Sequence, residues 1–142
     1  MSDFVLDTSV VMAWYLNETF TVDARTWQTR LFAGNDRFFV PRLHYWEVAN
    51  VLGTYVRRGK LAAPLARELF AIHLEAPLEV AEPEAANVLS RALELGVTAY
   101  DAVFVELAFA LDCPLVTAER ESRPWVSKLG PRAVVVGARP KS

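Results

Sequence analysis

The apolar residues of this chain fall into short continuous runs, separated by longer stretches in which apolar and polar positions mix. Phe4-Val5-Leu6, Phe38-Phe39-Val40, Leu78-Glu79-Val80, Pro114-Leu115-Val116-Thr117 and residues 133–136 read as five strands. Most are apolar at successive positions rather than at alternate ones, the pattern of strands buried on both faces. Seven helices are expected between them. The first covers residues 10–16, with Asp7 or Ser9 as its N-cap. The second covers 21–33 and stops at the turn signal Gly34-Asn35-Asp36. Pro41 introduces the third, over 43–58, and Gly59 closes it. The others are expected over 64–74, from Glu82-Pro83 to Leu95, from Thr98 to Leu111 and over 124–129. Strands alternating with helices predict an α/β fold, its parallel sheet covered on both sides.

Length and composition narrow the class. The 142 residues suit one domain, here placed at 1–138 with a polar tail at 139–142. With 53% apolar residues there is material for a sizeable core, and no low-complexity or linker segment interrupts it. The formal net charge of −2 argues against a general polyanion binder, although a local basic patch is compatible with it. A single cysteine, Cys113, excludes an intramolecular disulfide and suits a reducing compartment. Asp3 and Asp7 at the start do not fit a signal peptide, and Asp101 and Glu106 interrupt the longest apolar stretch. A soluble, cytoplasmic protein is therefore expected, with no membrane partner.

In open α/β sheets, sites lie beyond the carboxyl ends of the strands, so acids at those positions carry the chemical argument. Asp7 directly follows the first strand; its bland alternative is a helix cap. Glu119 follows the fourth strand. Asp101 opens a helix with almost no polar face, where Thr98 and Asp101 also fit a capping box. In so apolar an element a carboxylate is expected to be buried, and to need a cation or a hydrogen-bond shell. Glu47 shares a face of its helix with Asn50, Thr54, Arg57 and Arg58, which also reads as an ordinary solvated face. Each signal is weak alone. Together they place hard oxygen donors near one edge of the sheet, the donor type that Mg²⁺ and Mn²⁺ prefer. The only histidines, His44 and His73, lie on different helices and are taken as structural or surface residues, so a histidine-pair ribonuclease or a zinc site is poorly supported. No glycine-rich phosphate loop is present.

Taken in order, Val5-Leu6-Asp7-Thr8-Ser9, Glu47-Val48-Ala49-Asn50-Val51-Leu52, Thr98-Ala99-Tyr100-Asp101-Ala102 and Leu115-Val116-Thr117-Ala118-Glu119 resemble the PIN domain family, and within it the VapC-type toxin ribonucleases. The resemblance covers essentially the whole chain. It implies a three-layer α/β/α sandwich with a central parallel sheet, and Mg²⁺- or Mn²⁺-dependent endoribonuclease activity. Asp7, Glu47 and Asp101 carry over as catalytic and metal-binding acids, with Ser9 or Thr8 and Asn50 as supporting groups. Glu119 stands where the family usually has Asp, so its part as a ligand is the point of departure. The resemblance further implies an RNA substrate, a homodimer and a cognate VapB-type antitoxin.

Two basic groups are candidates for holding phosphates: Arg57, Arg58 and Lys60, and Arg120, Arg123, Lys128 and Arg132. Trp14, Trp27, Trp46 and Trp125 are candidates for base stacking or a partner groove. Two other readings remain. One is a catalytically degenerate PIN-fold module that binds RNA or protein, supported only by Glu119. The other is phosphoryl transfer on a small substrate, for which Asp7-Thr8-Ser9 lacks a second Asp two residues on and the third strand offers no phosphoacceptor Asp.

Overall fold

The structure is a computed structural model of the full chain, and it describes residues 1–16, 21–119 and 123–137, with the side chain of Thr21 left aside. The expected polar tail and Arg120 lie outside the described residues. Five strands form one parallel sheet: β1 (Asp3–Leu6), β2 (Arg37–Val40), β3 (Glu79–Val80), β4 (Leu115–Thr117) and β5 (Ala133–Val135). Their order across the sheet is β3-β2-β1-β4-β5. Every pairing is parallel.

Among the described residues, seven α-helices connect the strands: α1 (Thr8–Tyr15), α2 (Thr21–Ala33), α3 (Leu43–Arg57), α4 (Ala63–Leu74), α5 (Ala85–Leu95), α6 (Ala99–Ala110) and α7 (Pro124–Leu129). A short 3₁₀ turn, Gly130–Arg132, leads into β5. The expected three-layer α/β/α architecture is realised. The alternation of side chains along each strand splits the core in two. Phe4, Leu6, Phe38, Val40 and Val116 pack with α1 to α4. Val5, Leu115, Val135 and Phe39 pack with α6 and α7 on the opposite face. Burial on both faces is why the strands read as continuous apolar runs.

Element boundaries shift little from expectation, and the shifts have local causes. Helix α1 begins at Thr8 rather than residue 10, because the chain turns helical directly after Asp7. Helix α3 ends one residue early, where Gly59 adopts φ 69° and Lys60 N–H reaches back to the Tyr55 carbonyl. Helix α5 starts at Ala85 because Glu84 before it is extended; the Glu82 carboxylate instead accepts from the Arg42 N–H, 2.7 Å.

Strand order places the site. From β1 the chain moves outward one way to β2 and β3, and on the other side to β4 and β5. The crevice beyond the carboxyl ends of β1 and β4 is the topological switch point, where α/β sheets bind ligands. Asp7 and Glu119 occupy those two carboxyl ends.

Candidate functional site

Asp7 sits at the N-cap position of α1, but its side chain caps nothing. Its Oδ2 instead accepts two hydroxyl hydrogen bonds, from Ser9 Oγ at 2.7 Å and from Thr117 Oγ1 at 2.8 Å. Each hydroxyl is in turn anchored by a backbone N–H of the loop after β4: Ala118 N donates to Ser9 Oγ, 3.0 Å, and Glu119 N donates to Thr117 Oγ1, 3.0 Å. Both hydroxyl protons are thereby committed to Asp7. Oδ1 accepts no hydrogen bond among the described residues. Burial pushes the carboxyl up to about 6 despite the two hydroxyl donors, and the charges of Glu119 and Asp101 push the same way.

Glu47 lies in the second turn of α3 and is half-buried, not on a fully solvated face as its helix position suggested. Thr8 Oγ1 donates to its Oε1 at 2.9 Å. Burial raises its carboxyl to about 7, opposed by the Thr8 hydrogen bond and reinforced by the charges of Asp7 and Asp101. The two supporting hydroxyls of Thr8-Ser9 thus divide the labour, one to each acid. Asn50, the other expected supporting group, is exposed and its side chain makes no hydrogen bond among the described residues.

Asp101 corrects one expectation. Helix α6 is buried along most of its length, through Ala102 and residues 104–108, yet Asp101 itself is exposed. The reason is position: it stands in the first turn, where the helix emerges from the layer. Its N–H donates to Thr98 Oγ1, 3.2 Å, so Thr98 caps the helix while the Asp101 carboxylate stays available. Glu119 is partly exposed, and Arg123 Nε meets its Oε2 at 3.3 Å. The four acids come from four separate segments to one edge of the sheet, near enough for their charges to act on Asp7 and Glu47. Among the described residues, however, no three His, Cys, Asp or Glu side chains stand close enough together to hold a metal ion as they are placed.

The family model described as PIN domain matches residues 4–123, from β1 to the start of α7. The chain belongs to the PIN domain family. It is 32% identical over 117 residues to "VapC ribonuclease Mb0985" of Mycobacterium bovis, covering 81% of this chain and 84% of that protein. "Ribonuclease VapC9" of Mycobacterium tuberculosis is similar to the same extent. Among solved structures, PAE2754 from Pyrobaculum aerophilum superposes with a TM-score of 0.73 at 21% identity, over 95% of this chain and 90% of that one. VapBC2 from Rickettsia felis, bound to a DNA fragment from its promoter, gives a TM-score of 0.63 at 13% identity, over 94% and 96%. At these identities the two structures speak to the fold, which is that of PIN domains.

Several further expectations are redistributed by this PIN fold. Trp14 and Trp125 are core residues, not exposed aromatics, and Trp14 Nε1 donates to the Ala24 carbonyl, 2.6 Å. Trp27 is partly buried against Phe4. Trp46 alone of the four is exposed, at 73%. Arg57, Arg58 and Lys60 are exposed at the far end of α3, about 15 Å along the helix axis from Glu47. Arg132 precedes β5, pairs with Asp112 at 3.6 Å and lies over the Phe109 ring, which puts it at the edge of the sheet away from the acids. None of the described helices is long and apolar enough to cross a membrane.

Four residues around the acids were not singled out for this role. Thr117 is a polar residue at the end of an otherwise apolar strand, a readable but ambiguous signal. His44 and His73 are fully buried, their Nε2 atoms 2.8 Å apart. Each falls on the apolar stripe of its helix, four residues from Val48 and from Leu69 respectively, which marks it as inward-facing. Burial, and for His44 the neighbouring His73, lowers them to about 3 and about 4, so both rings are neutral and neither serves as a solvent-reachable acid–base. Tyr15 Oη lies 2.8 Å from His73 Nδ1.

Proposed function

We propose that this PIN domain is a divalent-metal-dependent endoribonuclease, acting as the toxin of a toxin–antitoxin pair in the cytoplasm. The observation that carries the reading is the gathering of Asp7, Glu47, Asp101 and Glu119 at the switch point, with Asp7 and Glu47 raised to about 6 and about 7. Burial is the main cause of both raised values and the neighbouring acids add to it, so a cation beside them would stabilise their ionised forms. The donor set is all oxygen, which suits Mg²⁺ or Mn²⁺ and not zinc. The printed names of the relatives, ribonucleases of the VapC type, support the same reading.

In this proposal Asp7, Glu47 and Asp101 hold the cation, and Glu119 stands beside them as the outermost acid. When bound, such a cation polarises the phosphodiester and lowers the pKa of attacking water. The chain's own part is placement. Asp7 is fixed through Oδ2, which leaves Oδ1 without a hydrogen bond among the described residues. Glu47 is fixed through Oε1, which leaves Oε2. A bound cation would favour the ionised form of both carboxyls. Asp101, exposed and tied only through its backbone, has the freedom to swing toward the ion.

The expected partners are RNA, a second copy of the chain and a VapB-type antitoxin; the VapBC structures similar in fold support the last of these. An apolar groove of about 360 Å³ between α3 and α4, lined by Ala49, Leu52, Phe70 and Leu74, is the kind of surface a partner helix covers. Purified protein freed of any partner is expected to cut structured RNA with Mg²⁺ or Mn²⁺, and to stop with EDTA. Asp7→Asn and Asp101→Asn are each expected to lower the rate at least 100-fold, about 2.7 kcal/mol or more. Undiminished cleavage by either variant refutes the reading.

A further inference from the structure

Thr8, which holds Glu47, is itself the end of a buried chain of hydrogen bonds. Its Oγ1 lies 2.9 Å from His44 Nδ1, His44 Nε2 lies 2.8 Å from His73 Nε2, and His73 Nδ1 lies 2.8 Å from Tyr15 Oη. Thr8 and Tyr15 are seven residues apart on α1, two turns and so on the same side of the helix. The two imidazoles, one from α3 and one from α4, bridge that interval of about 10 Å.

With Glu47 ionised, counting protons fixes the direction of the whole chain. A threonine hydroxyl has one proton, and Thr8 gives it to the Glu47 carboxylate. Thr8 Oγ1 must then accept from His44, so His44 carries its proton on Nδ1. A neutral ring has one N–H, so His44 Nε2 accepts, and His73 must donate from Nε2. His73 Nδ1 then accepts, and Tyr15 donates to it. Burial supports each assignment: both rings stay neutral, and the Tyr15 hydroxyl, pushed up to about 12, keeps its proton. No buried side-chain N or O among the described residues is left without a partner, as a fully satisfied chain requires.

We propose that Tyr15, His73, His44 and Thr8 form a one-directional relay of donors that positions Glu47, holding its Oε1 so that Oε2 is presented to the cation. The inference rests on the proposed nuclease site. Tyr15, His73 and His44 act through Thr8 and touch neither ion nor RNA, so they are positioning residues. A carboxylate held by a single threonine hydroxyl swings with it, because the hydroxyl can rotate. The His44 Nδ1–H removes that freedom, as the outer hydrogen bonds of metal-binding side chains commonly do. The rings also meet Trp14 and Tyr15 edge-on and Tyr45 edge-on or tilted, which fixes their orientation.

Two measurements test this. The first is ¹⁵N NMR of the histidine rings in the metal-free full chain, in buffer alkaline enough to ionise Glu47; His73→Gln identifies the His44 signals. The Nδ1–H form of His44 with the Nε2–H form of His73 is expected, and the opposite pair of tautomers overturns the relay. The second is Mn²⁺ affinity by calorimetry. His44→Phe fills the ring volume but leaves Thr8 without its donor, and is expected to weaken Mn²⁺ about tenfold. His44→Asn puts an amide N–H where Nδ1 was, and is expected to recover most of that loss although it packs less well. If Phe instead binds Mn²⁺ as the wild type does and Asn is the weaker variant, His44 matters only for packing and the relay falls. Absence of Mn²⁺ binding by the wild type overturns the ion site itself, and the tautomers then decide the direction of the relay independently.

Discussion

The Asp7 carboxylate stands where a helix cap is expected, yet its Oδ2 is taken by Ser9 and Thr117 and its Oδ1 has no partner among the described residues. A short acid held at one oxygen presents the other in a fixed direction, which is what cation binding needs. The two hydroxyls do not act alike. Ser9 belongs to the same turn as Asp7, whereas Thr117 arrives from β4 and ties the acid to the neighbouring strand. Thr117→Val keeps the shape and removes the donor. It leaves the Glu119 N–H without its acceptor and Asp7 with one hydroxyl fewer, so it is expected to cost about 1–2 kcal/mol of stability and to weaken Mn²⁺ binding. Denaturant titration and calorimetry measure the two effects. Unchanged Mn²⁺ affinity in a folded Thr117→Val protein contradicts a role for the β4 hydroxyl in presenting Asp7.

At the scale of elements, helix starts and strand ends do the positioning. Asp101 depends on where α6 begins, and that start depends on how α5 ends. Gly96 closes α5 with φ 68°, a conformation that costs glycine nothing, and a Cβ added there would meet no atom within 4 Å. Gly96→Ala therefore isolates the backbone term. A loss of about 1 kcal/mol is expected, read as a lower denaturation midpoint with an unchanged slope. RNA cleavage is expected to fall if the strain is relieved by moving the two residues before Thr98. A variant as stable as the wild type contradicts the left-handed closure of α5. The element scale also shows why Glu47 was hard to rank by sequence: its neighbours Asn50, Arg57 and Arg58 are exposed, and α1 supplies the contact that sets Glu47 apart.

For the whole molecule, the site is a source of instability that a ligand relieves. Asp7 and Glu47 titrate at about 6 and about 7 in the folded chain, above their ordinary 3.8 and 4.5. Between those values each acid holds more protons folded than unfolded, so its share of the stability of the metal-free protein falls as pH rises through that window, while buried His44 and His73, lowered from 6.5 to about 3 and about 4, act in the opposite sense. Bound Mn²⁺ reverses the trend, since it stabilises the ionised carboxylates and adds its own binding free energy. Asp7→Asn removes the share of one acid and keeps that of the histidines, so in EDTA its melting temperature relative to the wild type is expected to rise as pH goes from about 4 to about 6, and the rise produced by Mn²⁺ in the wild type is expected to be largest at the upper end. A difference between the two proteins that does not grow with pH contradicts the raised value of Asp7.

Much of this architecture was legible in the chain, because its signals are local. Apolar runs buried on both faces, glycines past helix ends and prolines before helix starts gave the alternation of strands and helices, and with it the parallel sheet. Asp7, Asp101 and Glu119 were visible for the same reason, as acids at strand ends and helix starts. Tertiary structure alone decided what those acids touch. Thr117 reaches Asp7 across 110 positions, and Thr8 reaches Glu47 across 39. His44 and His73 carry no mark of one another in their separate helices, because only the packing of α3 and α4 brings their rings to 2.8 Å. Periodicity records which face of an element is inward, but not which neighbour it meets there. That choice belongs to the order β3-β2-β1-β4-β5, which no single segment encodes.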